Sequence, residues 1–354
     1  MILLFSIFDS SVLLSLISLF LTMGGVGLVL ALGLRKFKRV RNTATTQLKE
    51  KCQLLITELI FGEKLSQESK ETEVYFLKDS SIKQLFLEEL MNLHNSLQGE
   101  FAFMIEQYYI DKGFDKVSFK KLKSEKTHII LQGVNELVEM KNIDSVQALD
   151  DLLSQTVDYS LKNYLIIAII KLKPAYGLQK LFSFDNYLTD WLQLRIIKVL
   201  DEIRYINPPD LSEWIDKGGT FAIFGCRLTA YTKAERDIPL LIKLLNKNDV
   251  TLKIEAIHTL GILDAQEVNE LLIKIYISEL IIVKVAILKT LAMFKNTDNF
   301  LFFVSCCKSN THETQLLALQ GINLLLEGGA ISSDVYHTQA LHFDQLNKIN
   351  ATKL

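Results

Sequence analysis

The stretches "LQLRIIKVLDEI" (192–203) and "LKIEAIHTLGIL" (252–263) decide the fold of this chain. Their apolar residues recur at a spacing of three to four, which is typical of one face of a helix. The matching positions are Leu192 with Leu252, Leu194 with Ile254, Ile197 with Ile257 and Leu200 with Leu260. The offset is the same for all four matches and equals two units of about 30 residues each, which indicates a repeated helical unit.

Further copies extend the repeat in both directions. "IILQGVNELV" (129–138) closely matches "LALQGINLLL" (317–326), and "LKNYLIIAIIKL" (161–172) and "VKVAILKTLAMF" (283–294) complete the set. One column through all copies is Ile130, Leu165, Ile196, Cys226, Ala256, Ala286 and Ala318. Seven copies at a nearly constant spacing predict an all-α chain of stacked repeats.

Each unit is predicted to contain two helices. In one unit, residues 238–249 form the first helix, and the second helix begins after the turn at Asn248 and Asp249. Asp249 is a good N-cap, since its carboxylate can accept backbone N–H groups that lack a partner in the helix. Pro239 fits the first turn, where its missing N–H costs little. A single pair cannot bury its apolar faces alone, so the units must stack.

This pattern resembles HEAT repeats. The Asp249 turn followed by "LKIEAIHTLG" is similar to their second-helix signature, with Lys253 at the typical basic position, and Lys284 takes that position in "VKVAILKTLA". The resemblance covers roughly residues 120 to 328, although several copies lack the acidic or the basic residue. It implies an α-solenoid of HEAT-like helical pairs and does not imply any one activity.

The layout also resembles a bacterial group of membrane-anchored HEAT-repeat proteins. The similar segments are "QYYIDKGF…KKLKSEKTHIILQGVNEL" and the later "WLQLRIIKVL". This narrower resemblance implies an adaptor of the cell envelope that serves a glycosyltransferase system.

Residues 12–34 are predicted to form a single transmembrane helix. None of these 23 residues has an ionisable side chain, and as a helix they would span roughly 34 Å, against a hydrocarbon core of about 30 Å. Five basic residues follow at once, and such residues stay on the cytoplasmic side. They are Arg35, Lys36, Lys38, Arg39 and Arg41, which we assign to the membrane interface and its lipids. The alternatives are a buried core helix and a cleaved signal peptide, which would give a secreted repeat protein.

These expectations together divide the chain. We expect the solenoid in the cytoplasm, the N-terminus outside and the plasma membrane as the location. The predicted divisions are a tail (1–11), the transmembrane helix (12–34), a basic segment (35–41), a helical cap region (42–120), HEAT-like repeats (121–328) and a C-terminal helix or tail (329–354).

Charge and cysteine content narrow the classes of function. Residues 42–354 contain 34 of the 39 basic residues and 40 of the 41 acidic ones, because five basic residues and Asp9 come earlier. A mildly acidic bulk argues against a large nucleic-acid surface, which needs clustered positive charge. The cysteines (Cys52, Cys226, Cys306 and Cys307) form no CxxC pair, so neither a disulfide framework nor a zinc site is indicated.

No motif for catalysis is present. The chain lacks a GxSxG elbow, a phosphate-binding Walker loop and a dinucleotide-binding glycine pattern. His337 and His342 are five residues apart, which is wrong for one helical face, and His312-Glu313 alone supplies too few metal ligands. We therefore expect no enzyme, no cofactor, no metal and no small-molecule substrate. An enzyme of unrecognised type is the alternative.

Four residues are candidates for binding a protein partner: Trp191, Arg195, Trp214 and Arg227. In the simplest alignment Arg227 falls in an apolar column, where it would need a partner carboxylate or a ligand. Shifting the register by one residue puts Gly225 in the small column and Cys226 in the apolar one, and we favour this shift. The two tryptophans are expected to be packing residues, with interface anchors as the alternative. The predicted function is a membrane-anchored cytoplasmic scaffold that binds a protein through the solenoid surface.

Overall fold

The computed structural model describes residues 18–20, 23, 46–61, 65–78, 80–184, 187–207, 210–308 and 311–327. Every regular element in these ranges is a helix. The chain divides into two compact units, Met1–Asn142 and Ile143–Leu354. The predicted boundary between a cap region and the repeats, at residue 120, stays a prediction.

Six helices of the first unit lie between residues 46 and 139. They are α1 (46–61), α2 (Gln67–Lys78), α3 (Ser80–His94), α4 (Glu100–Asp111), α5 (Phe114–Leu122) and α6 (Thr127–Glu139). Their core includes Leu55, Phe76, Phe86 and Tyr109, and the rings of Phe76 and Phe86 stack with centroids 5.4 Å apart. The helices are also joined by charged bridges, such as the ion pair between Lys112, which follows α4, and Glu73 of α2 at 2.7 Å.

The second unit consists of first helices and second helices in alternation. The first helices are α7 (Val146–Gln155), α9 (Pro174–Lys180), α11 (Leu211–Lys217), α13 (Ile238–Leu244), α15 (Asn269–Tyr276) and α17 (Phe300–Cys306). The second helices are α8 (Tyr159–Leu172), α10 (Asp190–Glu202), α12 (Gly219–Thr232), α14 (Val250–Ile262), α16 (Ile281–Phe294) and α18 (His312–Glu327). Each second helix packs against the second helix of the next pair, so the predicted stacking of helical pairs is confirmed.

Three buried columns run through the second helices, one helical turn apart along each helix. One consists of Leu161, Leu192, Phe221, Leu252, Val283 and Thr314; the next of Leu165, Ile196, Gly225, Ala256, Ile287 and Ala318; the third of Ile169, Leu200, Thr229, Leu260, Leu291 and Ile322. Within each column the interval from one helix to the next is constant, except that the step from α10 to α12 is shorter by two residues. The repeat is therefore regular everywhere but at that step.

Hydrogen bonds between neighbouring second helices settle the register of α12. Thr259 Oγ1 donates to the carbonyl of Cys226 at 3.2 Å, and in the next repeat Thr290 Oγ1 donates to the carbonyl of Ile257 at 3.1 Å. Cys226 therefore corresponds to Ile257, and Gly225 to Ala256. The shifted register is confirmed, and the column drawn through Cys226 and Ala286 is wrong by one residue at both places.

Asp249 and Pro239 lie at the starts of helices, as the sequence predicts. The Asp249 carboxylate accepts the backbone N–H of Leu252 at 3.0 Å, which confirms its role as an N-cap. Pro239 lies in the first turn of α13. The helix expected over 238–249 is shorter, since α13 ends at Leu244.

A pair of buried asparagines connects the last two of the first helices, α15 and α17. Asn269 begins α15 and Asn299 directly precedes α17. Asn269 Nδ2 donates to Asn299 Oδ1, and Asn299 Nδ2 donates to Asn269 Oδ1, both at 2.8 Å. Both side chains are buried. Each amide thereby satisfies the other, which removes most of the cost of burying them.

The predicted membrane anchor requires a correction. Within the described ranges, no helix combines the length and the apolar composition needed to cross a bilayer. The predicted location, a single-pass protein of the plasma membrane with its repeats in the cytoplasm, is overturned by this finding. Of residues 12–34 only 18–20 and 23 are described. The remainder of that segment lies outside the described residues, as do the basic residues Arg35, Lys36, Lys38, Arg39 and Arg41.

Replacing Gly225 by alanine should destabilise the fold. A Cβ atom there would lie 2.9 Å from Leu211 Cδ1 and 2.6 Å from Trp214 Cβ. The Trp214 Cβ is attached directly to the backbone of α11, so it cannot move without shifting that helix. We expect Gly225→Ala to lower the free energy of unfolding by about 1–3 kcal/mol, as overpacking does. Chemical denaturation followed by circular dichroism measures the change.

Gly261→Ala is the matched control, one helix further along the stack. The atoms nearest to its Cβ would be side-chain atoms of Thr290 and Met293, at 3.1 to 3.2 Å, and Met293 is exposed and can turn away. A gain in helix propensity of about 1 kcal/mol should offset the crowding. Equal losses for the two variants would contradict the close approach of α11 and α12.

Asp237 is a buried carboxylate whose replacement should stabilise the fold. Burial raises the pKa of Asp237, and the Arg236 guanidinium 3.7 Å away opposes this shift only in part. The unfolded chain therefore ionises first, so stability is lost as pH rises from the unfolded pKa through the folded pKa. Asn299 occupies the corresponding position two repeats later.

We therefore expect Asp237→Asn to raise the melting temperature at neutral pH and to leave it almost unchanged at a pH below both pKa values. Thermal melts under the two conditions measure this, with the exposed Asp298→Asn as the control. A lower melting temperature for Asp237→Asn at neutral pH would show that the ionised carboxylate stabilises the fold.

Candidate partner-binding surface

The candidate surface lies on the second helices α10, α12 and α14, and Arg227 is at its centre. Arg227 Nη1 donates to Asp190 Oδ1 at 2.8 Å and to Gln193 Oε1 at 2.9 Å, both on α10. Its Nη2 donates to Glu255 Oε2 on α14 at 3.3 Å. One guanidinium therefore joins three consecutive second helices, which its fixed fork of donors makes feasible.

The surroundings of Arg227 agree with the shifted register and also contain the carboxylates that the unshifted alignment requires. In the confirmed register it corresponds to His258 and Lys289, which are exposed, so it does not interrupt an apolar column. Its side chain is nevertheless only 24% exposed, and it has the carboxylate partners that the first alignment required. Asp190 is 79% exposed, so this ion pair adds little to stability, whereas the half-buried Glu255 pair is less screened.

Gln193 holds the N-terminal part of α10 in place. Its Nε2 donates to the carbonyl of Leu188 at 2.9 Å, and its side chain is buried. Thr220 Oγ1 accepts the backbone N–H of Leu188 at 2.7 Å. The turn before α10 is therefore fixed to α12 before any partner arrives.

Exposed aromatic and apolar side chains occur on α10, in the segment before it and on α8. Trp191 is 64% exposed and Leu194, one turn later on α10, is 62% exposed. Tyr159 of α8 and Tyr187 are also exposed, and the Tyr159 hydroxyl lies 3.5 Å from the Tyr187 carbonyl oxygen. We call Tyr159, Tyr187, Trp191 and Leu194 the aromatic patch.

The other candidate residues lie in different environments. Arg195 is partly exposed, and its Nη1 is 3.9 Å from Glu202 Oε1, which makes a weak surface ion pair. Trp214 is fully buried, with ring centroids 4.5 Å from Phe182 and 5.3 Å from Phe224. Trp214 is thus a packing residue of α11, and of the two tryptophans only Trp191 presents its ring to solvent.

Sequence reasoning did not identify three members of the patch. Tyr159 and Tyr187 carry no motif, and Leu194 matched Ile254 as if it were an ordinary apolar position of the repeat. Leu194 lies one turn after Trp191 in sequence, and this spacing was the one signal that could have joined them.

The chemistry of the buried thiols is unfavourable for attack on a substrate. Burial raises the pKa of Cys52, Cys226 and Cys307 to about 12 and also raises that of Cys306. A thiol reacts as its thiolate, so these four groups are protonated and slow at neutral pH. In the part of the chain that is described, no three His, Cys, Asp or Glu side chains converge on a metal position.

Comparisons with known proteins find solved structures of low sequence identity. No family model matches the chain, and no curated protein matches its sequence. Among solved structures, the complex of CpcE and CpcF of phycocyanin lyase from Nostoc sp. is 16% identical, with a TM-score of 0.31, over 64% of this chain and 92% of that one. Human deoxyhypusine hydroxylase is 10% identical, with a TM-score of 0.31, over 80% and 99%. An engineered protein is 15% identical, with a TM-score of 0.32, over 80% and 95%.

The natural neighbours are HEAT-like helical solenoid proteins. Nothing among the comparisons supports the narrower resemblance to membrane-anchored bacterial proteins. The neighbours also correct one prediction, because a lyase and a hydroxylase are enzymes by name. That prediction, that the chain is not an enzyme, was drawn from the absence of catalytic and metal-binding motifs in the sequence.

The contacts of Arg227 should contribute unequally to the stability of the fold. We expect Arg227→Met to lower the free energy of unfolding by about 1–3 kcal/mol, because Glu255 and Gln193 would lose a donor in a partly buried site. Asp190→Asn should cost less than about 1 kcal/mol, as exposed pairs do. Urea denaturation of both variants and of the double variant measures each contribution. If Asp190→Asn lowered the stability as much as Arg227→Met, the exposed ion pair with Asp190 would be the contact that holds the helices together.

Proposed function

We propose that this chain is a protein-binding scaffold whose stacked second helices present the aromatic patch to a protein partner. The observation that carries the proposal is the exposure of Trp191 and Leu194 on one face of α10, beside the Arg227 network. Tryptophan, tyrosine and arginine are the residues enriched at the energetic centres of interfaces. When a partner covers a large apolar ring that was exposed to water, the free energy of the system falls.

The supporting helices favour this use of the surface. Trp191 lies between Asp190 and Gln193, which are both bound to Arg227, so the backbone that carries its ring is anchored to α12. A surface ordered before binding loses less conformational entropy when the partner docks. A row of helical pairs also offers a long, continuous surface, which is the usual basis of recognition by repeat proteins.

Arg195 and Arg227 are proposed as the polar rim of this surface. Arg195 is half-exposed and its pair with Glu202 is weak, so its guanidinium can turn to an acidic group on the partner. Arg227 is largely engaged within the chain, and its role is to hold Trp191 in position. The expectation of a glycosyltransferase partner rests on the sequence resemblance alone and stays a prediction.

Photo-crosslinking tests the proposal in the full chain. A photoreactive amino acid at Leu194 should give a discrete, reproducible adduct in cells, and the same amino acid at exposed Lys243 on first helix α13 should not. Trp191→Ala should reduce the adduct by at least about tenfold, since central tryptophans contribute on the order of 2 kcal/mol or more. Mass spectrometry identifies the adduct, and a melting curve checks that Trp191→Ala, an exposed change, leaves the fold intact.

Two results would contradict the proposal. One is an equal pattern of adducts at Leu194 and Lys243, which would indicate random collisions. The other is an adduct at Leu194 whose yield is indifferent to Trp191→Ala, because the ring would then take no part in recognition.

A further inference from the structure

Two lysines occupy the same position in consecutive second helices. Lys253 donates its backbone N–H to the carbonyl of the N-cap residue Asp249, and Lys284 donates its own to the carbonyl of the N-cap residue Leu280, both at 2.9 Å. The two lysines are separated by one interval of the repeat. Any difference in their partners therefore reflects the surrounding residues and not their place on the helix.

Lys253 has an internal counter-ion. Its Nζ lies 2.5 Å from Oε1 of Glu279, which belongs to the turn between α15 and α16. Both side chains are largely buried. An ammonium removed from water in this way needs such a partner, since an unpaired charge there would be costly.

Lys284 lacks the equivalent partner. Of the carboxylates in the described part of the second unit, none lies within ion-pair distance of its Nζ. The residue that follows Lys284 at the same separation as Glu279 follows Lys253 is Asn310, which is uncharged and lies outside the described residues. The Lys284 ammonium instead lies over the ring of Tyr276, 5.3 Å from its centroid.

A cavity of about 600 Å³ opens at Lys284. Its apolar lining includes Ile273, Ile277, Ile281 and Phe302, and Ile277 is 79% exposed. Burial raises the pKa of Tyr276, and a hydrogen bond with Cys306 acts in the same direction; burial also raises the pKa of Cys306. Both groups are therefore neutral at physiological pH, and Lys284 is the one charged group among the described residues that line the cavity.

We propose that this cavity binds an acidic side chain flanked by apolar residues, supplied by a partner protein. The partner's carboxylate takes the place beside Lys284 that Glu279 takes beside Lys253, and its apolar neighbours cover the exposed isoleucines. Charge complementarity selects the carboxylate, because a charge-assisted hydrogen bond to a partly desolvated ammonium is stronger than a neutral one. This inference rests on the proposed function, for which it names a second contact and the chemistry of the partner.

The chain itself provides a probe of this chemistry. The acetylated, fluorescein-labelled peptide Ile-Ser-Glu-Leu-Ile-Ile has the sequence of the turn at 277–282, which contains Glu279. Fluorescence anisotropy with the full chain should show saturable binding of this peptide. The same peptide with glutamine in place of glutamate should bind at least about fivefold more weakly, since only the charge is lost.

Variants of the chain locate the binding. Lys284→Gln should weaken binding of the acidic peptide by at least about fivefold. Lys289→Gln, an exposed change on the same helix, should leave the affinity unchanged. Lys284→Glu should restore tight binding of a peptide with lysine at the acidic position, which excludes simple misfolding as the cause.

The inference is overturned if neither peptide binds, if both bind equally, or if Lys284→Gln has no effect. It is also overturned if a photoreactive amino acid at Ile281 crosslinks to residues 328–354 of the same molecule, since the chain would then cover the cavity itself with Asp334 or Asp344. Failure of these tests with an intact, Trp191-dependent adduct at Leu194 would reject this cavity and leave the proposed function standing.

Discussion

Burial of one face of each second helix by the next is the constraint on which the second unit depends. The three buried columns lie on the sides of α8 to α18 that touch neighbouring helices, and the first helices α9, α11, α13 and α17 span only two turns each. A helix of that length is unstable alone in water, so it persists because it packs against a partner. Local stability in this unit is therefore a property of neighbours more than of individual pairs.

Polar side chains give this apolar stack its specificity. Thr259 and Thr290 each donate to a carbonyl of the preceding second helix, and Arg227 reaches the helices on both sides of its own. Hydrophobic contact is nearly indifferent to small slips between helices, whereas a hydrogen bond is lost when its partners move by about an ångström. These contacts explain how helices with very similar apolar faces keep one alignment.

The sequence predicted the repeat well and the surface poorly, for identifiable reasons. The offset between α10 and α14 was correct, because buried columns keep their period. Dividing that offset into two equal halves placed Cys226 one residue out of register, since the step from α10 to α12 is shorter than the step from α12 to α14. Loop length absorbs such differences without a signal in hydrophobicity. The anchor predicted from residues 12–34 falls almost wholly outside the described part of the chain.

Surface chemistry was hard to predict because it depends on residues distant in sequence. Trp191 and Trp214 look alike in an apolar context, yet one is exposed and the other fills the space that Gly225 leaves beside α11. The counter-ion of Lys253 belongs to a turn in the following helical pair, so no local sequence pattern around Lys253 identifies it.

The reciprocal amide pair of Asn269 and Asn299 has a consequence for how this protein can evolve. Because each residue supplies both the donor and the acceptor, a change at one position strands two groups on the other, inside the core. Neither asparagine can drift alone to an apolar residue at low cost, while both together can. The two sites are thus expected to change in concert across descendants of this chain. A duplication or deletion of the unit between them would survive only where it brings two asparagines face to face again.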